Sequence, residues 1–280
     1  MLTQAPLLDI KNLRVRFRTR TGIVEAVRGL SFQLGREKLG IVGESGSGKS
    51  MTGRAILDLI PPPGEISADV MRLSGDDLLT MNRGARRALC GRRISMVMQD
   101  PKFSLNPVMS VGRQIAEAHR AQLGSTRRAA RAAALDMLEA VRIREPKRVY
   151  DLYSHEVSGG MGQRVMIAMV LVAEPDILIA DEPTSALDVT VAMQILAILD
   201  DLVDKRGMGL IFISHDLPLV ASFCDRVIVM YGGRAMETLR AADLAQAHHP
   251  YTQGLLRCMP DLARAQNALP VLTRDPAWLA

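Results

Sequence analysis

The sequence predicts an α/β fold whose core is a parallel sheet covered by helices. Three apolar runs, residues 176–181, 209–214 and 226–231, indicate buried strands of the kind found in parallel sheets. A helix-like stretch at 189–204 lies between the first two runs, which is the βαβ order of α/β proteins. With 280 residues and 48% hydrophobic residues, the chain is large enough to bury a sizeable core.

The other elements follow from local patterns. Residues 7–17 and 23–34 flank a Thr-Gly turn and are rich in apolar and β-branched side chains, which indicates two strands. Further predicted elements are a strand at 37–42, a helix from Lys49 to the prolines at 61–63, a strand at 93–99, helical structure over 110–145, a buried helix at 160–173 and a hairpin at Gly232-Gly233.

Charge narrows the classes of partner. The formal net charge is +5, which fits a nucleic-acid binder, a protein on an anionic membrane surface, or an ordinary arginine-rich surface. The basic stretch at 83–93 has no interleaved aromatic residues. We therefore expect a solvated surface there and no nucleic-acid partner.

The cysteines and the apolar runs indicate in which cellular compartment the protein is expected and whether it crosses a membrane. Cys90, Cys224 and Cys258 are isolated, which indicates reduced thiols in a cytosolic protein rather than a metal site. No basic segment precedes an apolar one near residue 1, so we expect no signal peptide. The longest purely apolar run, 165–173, is shorter than the roughly 20 residues that span a bilayer. Any membrane role is therefore expected to come through a partner.

The stretch GESGSGKS, residues 43–50, carries the clearest chemical signal. It matches the phosphate-loop pattern G-x-x-x-x-G-K-[ST] between a predicted strand and a predicted helix. Its glycines let successive N–H groups point inward, and the helix that follows adds its positive dipole end. Lys49 can reach the β- and γ-phosphates and the Ser50 hydroxyl can bind Mg²⁺. Alone, the motif predicts a P-loop NTPase and leaves kinases and GTPases open.

A pair of carboxylates follows the predicted strand at 176–181. Ligands gather at the carboxyl ends of strands in parallel sheets, where Asp181 could hold the Mg²⁺ hydration shell and Glu182 could act as a general base. Taken alone, the pair is equally well explained as a solvated acidic turn before Pro183.

Five more motifs are in order with the phosphate loop. They are Gln99 after a strand, SGGMGQ at 158–163, the Asp181-Glu182 pair, SALD at 185–188, and His215 after a strand. Together they resemble an ABC-type ATPase over nearly the whole chain. The resemblance implies a P-loop NTPase of ABC type, with a RecA-like parallel-sheet core, an antiparallel β subdomain and an inserted α-helical subdomain.

The resemblance also implies a domain plan. Residues 1–280 would form a single ABC ATPase domain. Within it, 1–100 and 174–240 would be the β subdomain plus RecA-like core, 101–173 the helical subdomain, and 241–280 a C-terminal extension.

Site roles come from the same resemblance, with ATP and Mg²⁺ as the expected ligands. Glu182, His215 and Gln99 would be catalytic, and Ser50, Gln99 and Asp181 would hold the metal ion. Residues expected to bind nucleotide are Phe17, Gly43, Glu44, Ser45, Gly46, Ser47, Gly48, Lys49, Ser50, Met51, Ser158, Gly159, Gly160, Gln163 and Asp188. Phe17 would stack on adenine, although its spacing also suits a core aromatic. Residues 158–160 open a helix and would complete the site of a second subunit.

Four stretches resemble one branch of this family, the ATP-binding subunits of oligopeptide, dipeptide and nickel importers. They are residues 40–50, 98–107, 155–169 and 248–256. This implies an ATPase on the cytoplasmic face of the inner membrane, with a second identical or related ATPase subunit, two permease subunits and a periplasmic binding protein. Met161-Gly162 stands where the branch usually has Met-Arg, and Cys258 is the only cysteine after Cys224, so no iron–sulfur cluster is expected.

Other functions remain open at the level of sequence. The substrate could be a peptide, nickel or a related solute, and the ATPase pair could be identical or paired with a paralogue. The alternatives to transport are an ATP-binding protein of a phosphonate-degrading complex and another non-transport ABC ATPase.

Overall fold

A computed structural model describes residues 5–98, 104–185, 187–258, 272 and 274–279, and it contains both strands and helices. The strands are β1 Leu8–Thr19, β2 Gly22–Leu34, β3 Lys38–Val42, β4 Gly64–Ser67, β5 Val70–Leu73, β6 Asp76–Asp77, β7 Ile94–Val97, β8 Ile177–Asp181, β9 Gly209–Ser214, β10 Arg226–Tyr231 and β11 Arg234–Arg240. The helices are α1 Lys49–Ile56, α2 Arg83–Arg93, α3 Val111–Leu123, α4 Arg127–Ala140, α5 Pro146–Tyr150, α6 Gly159–Leu171, α7 Val189–Arg206, α8 Leu217–Phe223 and α9 Pro250–Arg257. Short 3₁₀ turns occur at Ser154–Glu156, Ala241–Gln246 and Pro276–Leu279.

The described chain forms two units. Unit 1 takes residues from 1–80 and 211–280, and unit 2 takes residues from 81–210. Unit 2 therefore includes β7, β8 and α7 in addition to the helices of the expected helical subdomain. The domain plan inferred from the sequence stays a prediction. None of the helices in the described part of the chain combines the length and apolarity needed to cross a bilayer.

The antiparallel sheet of unit 1 has the order β2-β1-β5-β6, with β4 also paired to β1. The buried side chains of β1 include Leu8, Ile10, Leu13 and Val15. Their alternation slips by one residue at a bulge, where Asn12 has a φ of 54°. The bulge accommodates one extra residue in β1. The apolar side chains before and after it therefore stay on the same face of the sheet.

The second sheet of unit 1 has the order β11-β10-β3-β9. β3 and β10 are parallel, with Val42 opposite Val229. β10 and β11 are antiparallel and meet at Gly232-Gly233, which confirms the predicted hairpin. The parallel pairing of two apolar strands agrees with the sequence prediction.

Helix α8 packs on β3 at a glycine. A Cβ on Gly40 would overlap a methyl group of Val220 and lie 3.3 Å from Cys224 Sγ. Burial raises the pKa of the Cys224 thiol to about 12, so the thiol stays protonated and poorly nucleophilic.

Unit 2 contains the parallel pair β7–β8 and helices α2 to α7. Helix α6 buries most of its apolar side chains, as predicted for 160–173. Its C-terminal end is capped by Arg206, whose guanidinium donates to the Leu171 carbonyl oxygen at 2.9 Å. This bond satisfies one of the last carbonyl groups of the helix.

The start of α3 is packed against Tyr150. The Val111 N–H donates to the Leu152 carbonyl oxygen at 2.8 Å. The Tyr150 ring covers Gly112, where a Cβ would overlap the ring and lie 2.7 Å from the Tyr150 Cα. Only glycine fits at position 112 without moving the backbone of the neighbouring segment.

Two predicted helix boundaries were wrong. α1 ends at Ile56 rather than at the prolines, because Asp58 adopts a φ of 58° and the Leu59 N–H donates back to Arg54. The predicted helical stretch 110–145 is broken at Gly124, which has a φ of 65°. The Thr126 side chain then caps α4 by accepting from the Ala129 N–H.

Replacing Gly112 with Ala tests the packing of α3 on Tyr150. We expect Gly112→Ala to lower the free energy of unfolding by about 1–3 kcal/mol, the usual cost of forcing atoms into a filled site. Gly84→Ala in α2 is the matched control, because the nearest atom to its added Cβ is 3.5 Å away. Urea unfolding followed by circular dichroism measures both variants, and equal stabilities would contradict this packing.

Candidate functional site

The phosphate loop follows β3 and is shaped by three glycines with positive φ. Gly43, Gly46 and Gly48 have φ values of 150°, 79° and 99°. A Cβ on Gly43 would overlap the Met230 carbonyl oxygen, and one on Gly48 would overlap the Ala26 carbonyl oxygen. Glycine is therefore required at both positions by close backbone approach as well as by conformation.

Strands of both sheets of unit 1 support this loop. The Gly233 N–H, in the turn between β10 and β11, donates to the Ser47 carbonyl oxygen at 3.0 Å. The Arg28 N–H of β2 in turn donates to the Gly233 carbonyl oxygen at 2.7 Å. The loop conformation thus depends on residues about 20 positions before it and 190 positions after it.

Lys49 holds the loop from inside. Its side chain is buried, with a residue exposure of 6%. The Nζ donates to the carbonyl oxygens of Gly43 and Glu44 at 2.7 and 2.8 Å. An ammonium group lies among hydrogen-bond acceptors here, at the start of α1, where the helix dipole is also positive.

The loop fits a phosphate group. A Cβ on Gly46 would meet nothing within 4 Å, so that side of the loop is open. Among the described residues, the N–H groups of Gly46 and Gly48 donate no hydrogen bond. Open backbone donors beside a buried ammonium are the groups that bind phosphate oxygens at P-loops.

The remaining residues expected around this loop are also in unit 1. Ser45 is exposed, Ser47 is buried, and Ser50 and Met51 are half-buried in the first turn of α1. Phe17 lies on β1 opposite Val24 and Gly64 and is half-exposed. Its ring edge packs on Gly64, where an added Cβ would lie 2.8 Å from a ring carbon.

The acidic pair lies in unit 2. Asp181 is the last residue of β8 and is buried, and Glu182 follows it half-buried. Glu182 has a φ of 47°, an uncommon conformation for a residue other than glycine. The Ser185 N–H and hydroxyl both donate to the Glu182 carbonyl oxygen, at 3.3 and 3.2 Å. The turn therefore holds Glu182 in a backbone conformation that marks functional sites in many proteins.

Residues 158–160 begin α6 in unit 2. Ser158 is the N-cap, and its Oγ accepts from the Met161 N–H at 3.4 Å. Ser158 and Gly159 are exposed, and a Cβ on Gly159 would meet nothing within 4 Å. A Cβ on Gly160 would lie 2.7 Å from a methyl group of Val191. Gly160 is thus required by the packing of α6 on α7, while Ser158 and Gly159 face outward.

Gln163 and Asp188 have structural contacts of their own. Gln163 is 1% exposed, and its Nε2 donates to the Pro183 carbonyl oxygen at 2.6 Å. Asp188 is exposed and caps α7, since its Oδ1 accepts from the Val191 N–H at 3.0 Å. Gln163 therefore ties α6 to the turn that carries Glu182.

Two expected catalytic residues remain. His215 is exposed and follows β9 in unit 1, where the Asp216 side chain caps α8. Gln99 lies outside the described residues. The expected roles of all these site residues stay predictions.

Two residues beside the phosphate loop were missed by sequence reasoning. The Tyr251 hydroxyl accepts from the Glu44 N–H at 3.3 Å, and the Arg274 guanidinium lies 2.9 Å from Glu44 Oε1. They are 207 and 230 residues from Glu44 in sequence, so no local pattern connects them to the loop.

Comparison with known proteins decides the family. A family model described as ABC transporter matches residues 27–185, more than half of the chain. This chain belongs to the ABC transporter family. The match includes the phosphate loop, the start of α6 and the acidic pair, and it confirms the resemblance inferred from the motifs.

Individual relatives extend the likeness. The dipeptide transport ATP-binding protein DppD of Haemophilus influenzae is 47% identical over 94% of this chain and 80% of its own length. The oligopeptide transport ATP-binding protein OppD of Bacillus subtilis is 46% identical over 94% of this chain and 74% of its own length. Both named relatives belong to the importer branch that the four stretches indicate.

A solved structure supports the fold. The dimeric ATP-binding cassette MJ0796, in a post-hydrolysis state with ADP and phosphate, matches with a TM-score of 0.72 and 25% identity. The match covers 84% of this chain and 98% of that one. The predicted ABC-type α/β fold is therefore confirmed.

Removing the tie between α6 and the acidic turn should destabilise unit 2. We expect Gln163→Leu to lower the free energy of unfolding by about 1–3 kcal/mol, because the buried Pro183 carbonyl group loses its donor. Gln246→Leu is the control, because Gln246 is exposed in the short turn Ala241–Gln246; surface changes of that kind usually stay within about 0.5 kcal/mol. Thermal and urea unfolding of the two variants measure the difference. A loss no larger than that of the control would show that the Gln163 bond contributes nothing.

Proposed function

We infer that this chain is the ATP-binding subunit of a peptide importer and that it hydrolyses ATP to drive uptake. The observation that carries the inference is the phosphate loop, where Lys49 and open backbone donors suit a triphosphate. The two relatives named as dipeptide and oligopeptide transport ATP-binding proteins support peptides as the substrate class.

We further propose how the chain binds nucleotide. Residues 43–51 surround the phosphates, with Lys49 moving from its own loop carbonyl groups onto phosphate oxygens. The half-exposed ring of Phe17 stacks on the adenine base. The loop is preorganised by its glycines and by the Gly233 contact, so little conformational entropy is lost when phosphate binds.

ATP hydrolysis in this proposal uses the acidic turn together with residues from other segments. Ser50, Gln99 and Asp181 would hold Mg²⁺, which would neutralise charge on the phosphate oxygens. Glu182 takes a proton from the water that attacks the γ-phosphorus, and the bond from the γ-phosphorus to the bridging oxygen breaks to release ADP and phosphate. His215 contacts the γ-phosphate. The φ of 47° at Glu182 supports a positioned side chain, since such a conformation persists only where the surrounding contacts hold it.

A second ATPase subunit completes each site in this proposal. Ser158 and Gly159 are exposed at a helix start and open to a ligand. They contact the γ-phosphate held by the phosphate loop of the other subunit, and Gly160, Gln163 and Asp188 support that interface. The dimeric state of the matching cassette supports a pair of ATPase chains. In this proposal the two chains are identical or related and are arranged head to tail.

The assembly follows from the importer assignment. Two permease subunits form the pore, a periplasmic binding protein delivers the peptide, and this chain lies peripherally on the cytoplasmic face of the inner membrane. ATP drives transport only if it binds the closed ATPase pair better than the open one.

A base-deficient variant tests the function. We expect Glu182→Gln to slow ATP hydrolysis by about 10²-fold or more, the scale of a lost general base, and to abolish uptake of radiolabelled di- and oligopeptides by cells. ATP binding should survive, because the phosphate loop is unchanged. Steady-state phosphate release, calorimetry and cell uptake are the three measurements.

The control for that variant is Lys49→Ala, which should lose MgATP binding as well as turnover. Normal ATP hydrolysis by Glu182→Gln would show that Glu182 is not the general base. Loss of nickel uptake with intact peptide uptake would contradict the peptide assignment.

A charge placed at the start of α6 tests the shared site. We expect Ser158→Arg to lower hydrolysis in the assembled pair by about 10²-fold or more, while MgATP binding to the isolated subunit is unchanged. Thr126→Arg is the matched control, because Thr126 also caps a helix through its side chain but lies at α4. Both variants lose an N-cap, so both should lose similar stability, and only Ser158→Arg should lose activity. If the isolated Ser158→Arg subunit no longer binds MgATP, the site is not shared between subunits.

A further inference from the structure

The end of the chain folds back onto α9 in unit 1. Leu272 packs on Gly254, where a Cβ would overlap the Leu272 side chain. The Trp278 ring lies 5.6 Å from the Tyr251 ring and 5.7 Å from the Tyr231 ring, centroid to centroid. We call residues 272 and 274–278 the tail segment. Its aromatic contacts keep it against the helix that carries Tyr251.

Two groups from this region contact a single residue of the phosphate loop. The hydroxyl oxygen of Tyr251 accepts from the Glu44 N–H, and Arg274 forms an ion pair with the Glu44 carboxylate. Tyr251 has an exposure of 0%, whereas the Arg274 side chain is 62% exposed. Water screens the ion pair, so the hydrogen bond, which is partly buried, is the stronger constraint on the loop.

The residue bonded to Tyr251, Glu44, also holds Lys49 through its backbone. The Glu44 carbonyl oxygen accepts from Lys49 Nζ at 2.8 Å, while the Glu44 N–H donates to Tyr251. Both polar backbone groups of Glu44 are therefore occupied. A shift of Glu44 would move one of the two carbonyl acceptors of Lys49 and the backbone that leads to Gly46.

We propose that Tyr251 is a positioning residue of the phosphate loop, and that packing of the tail segment is coupled to nucleotide binding. This inference rests on the proposed nucleotide site. Tyr251 acts through Glu44 and touches no reacting atom. The tail segment covers the Tyr251 ring, which keeps its hydroxyl in place beneath Glu44.

The Tyr251 contact does not titrate in the physiological range. Burial raises the pKa of Tyr251 to about 12, so its hydroxyl stays neutral near pH 7. The coupling through this hydroxyl is therefore one of geometry and not of charge.

Coupling between two sites is reciprocal. If the packed tail segment strengthens nucleotide binding, nucleotide must strengthen packing of the tail segment by the same factor. Trp278 is the only tryptophan in the chain, so its fluorescence reports on the tail segment alone.

Removing one hydroxyl group tests the proposal in the full-length chain. We expect Tyr251→Phe to weaken MgATP binding about three- to tenfold, the range carried by one net hydrogen bond, with hydrolysis at saturating ATP unchanged. The KM for ATP should therefore rise while kcat stays the same. Tyr231→Phe is the matched control, because its ring is in the same cluster, 4.7 Å from Tyr251, and it should leave both values unchanged. Calorimetry and steady-state kinetics measure these effects.

Acrylamide quenching of Trp278 provides the second measurement. MgATP should lower the quenching constant in the wild type and lower it less in Tyr251→Phe. If wild type binds MgATP and Tyr251→Phe binds it equally well, the positioning role is wrong. If wild type binds MgATP with no change in quenching, the coupling is wrong. If wild type does not bind MgATP at all, the proposed function itself fails.

Discussion

The contact between the Lys49 ammonium group and the carbonyl oxygens of Gly43 and Glu44 is the interaction on which the site depends. It draws a loop of small residues around a buried positive charge. Burying an ammonium group is costly unless its donors are paired, so the carbonyl oxygens must point at it. That orientation turns backbone N–H groups such as that of Gly46 to the open side, where an anion can bind.

The strands of unit 1 pack closely around that loop. The carbonyl oxygens of Ala26 in β2 and Met230 in β10 approach the loop backbone too closely for any side chain between them. Gly233, in the turn after β10, donates a hydrogen bond to the loop. Two sheets and a helix dipole therefore meet at one short segment. A substitution at any of these neighbours would shift the backbone of the loop, because close-packed protein interiors transmit displacements from one segment to the next.

Unit 2 has a comparable arrangement around the acidic turn. The Gln163 bond to Pro183 joins the buried helix α6 to the residue after Glu182, and Gly160 allows α6 to approach Val191 of α7. Ser158 and Glu182 thus belong to segments tied together by a buried polar contact. In an ABC transporter ATPase, such a tie gives the proposed partner-facing helix start and the proposed catalytic base a common mechanical support. The buried hydrogen bond between Gln163 and Pro183 keeps the two segments in register.

The sequence by itself determined whatever depends on near neighbours in the chain. The glycines and lysine of residues 43–50, the apolar strands β8, β9 and β10, and the hairpin at Gly232-Gly233 were all predicted, because each follows from local conformational preference or from the burial of a continuous apolar run. The six ordered motifs were enough to predict the family and its fold. The sequence did not predict the helix ends at Asp58 and Gly124 or the bulge at Asn12. Each depends on one residue adopting a positive φ, and residue type alone does not fix where in a sequence that happens. Only the tertiary structure decided that Gln163 turns inward to Pro183 and that Tyr251 meets Glu44. Those partners are 20 and 207 residues apart, and contacts at such separations are set by how the whole chain packs.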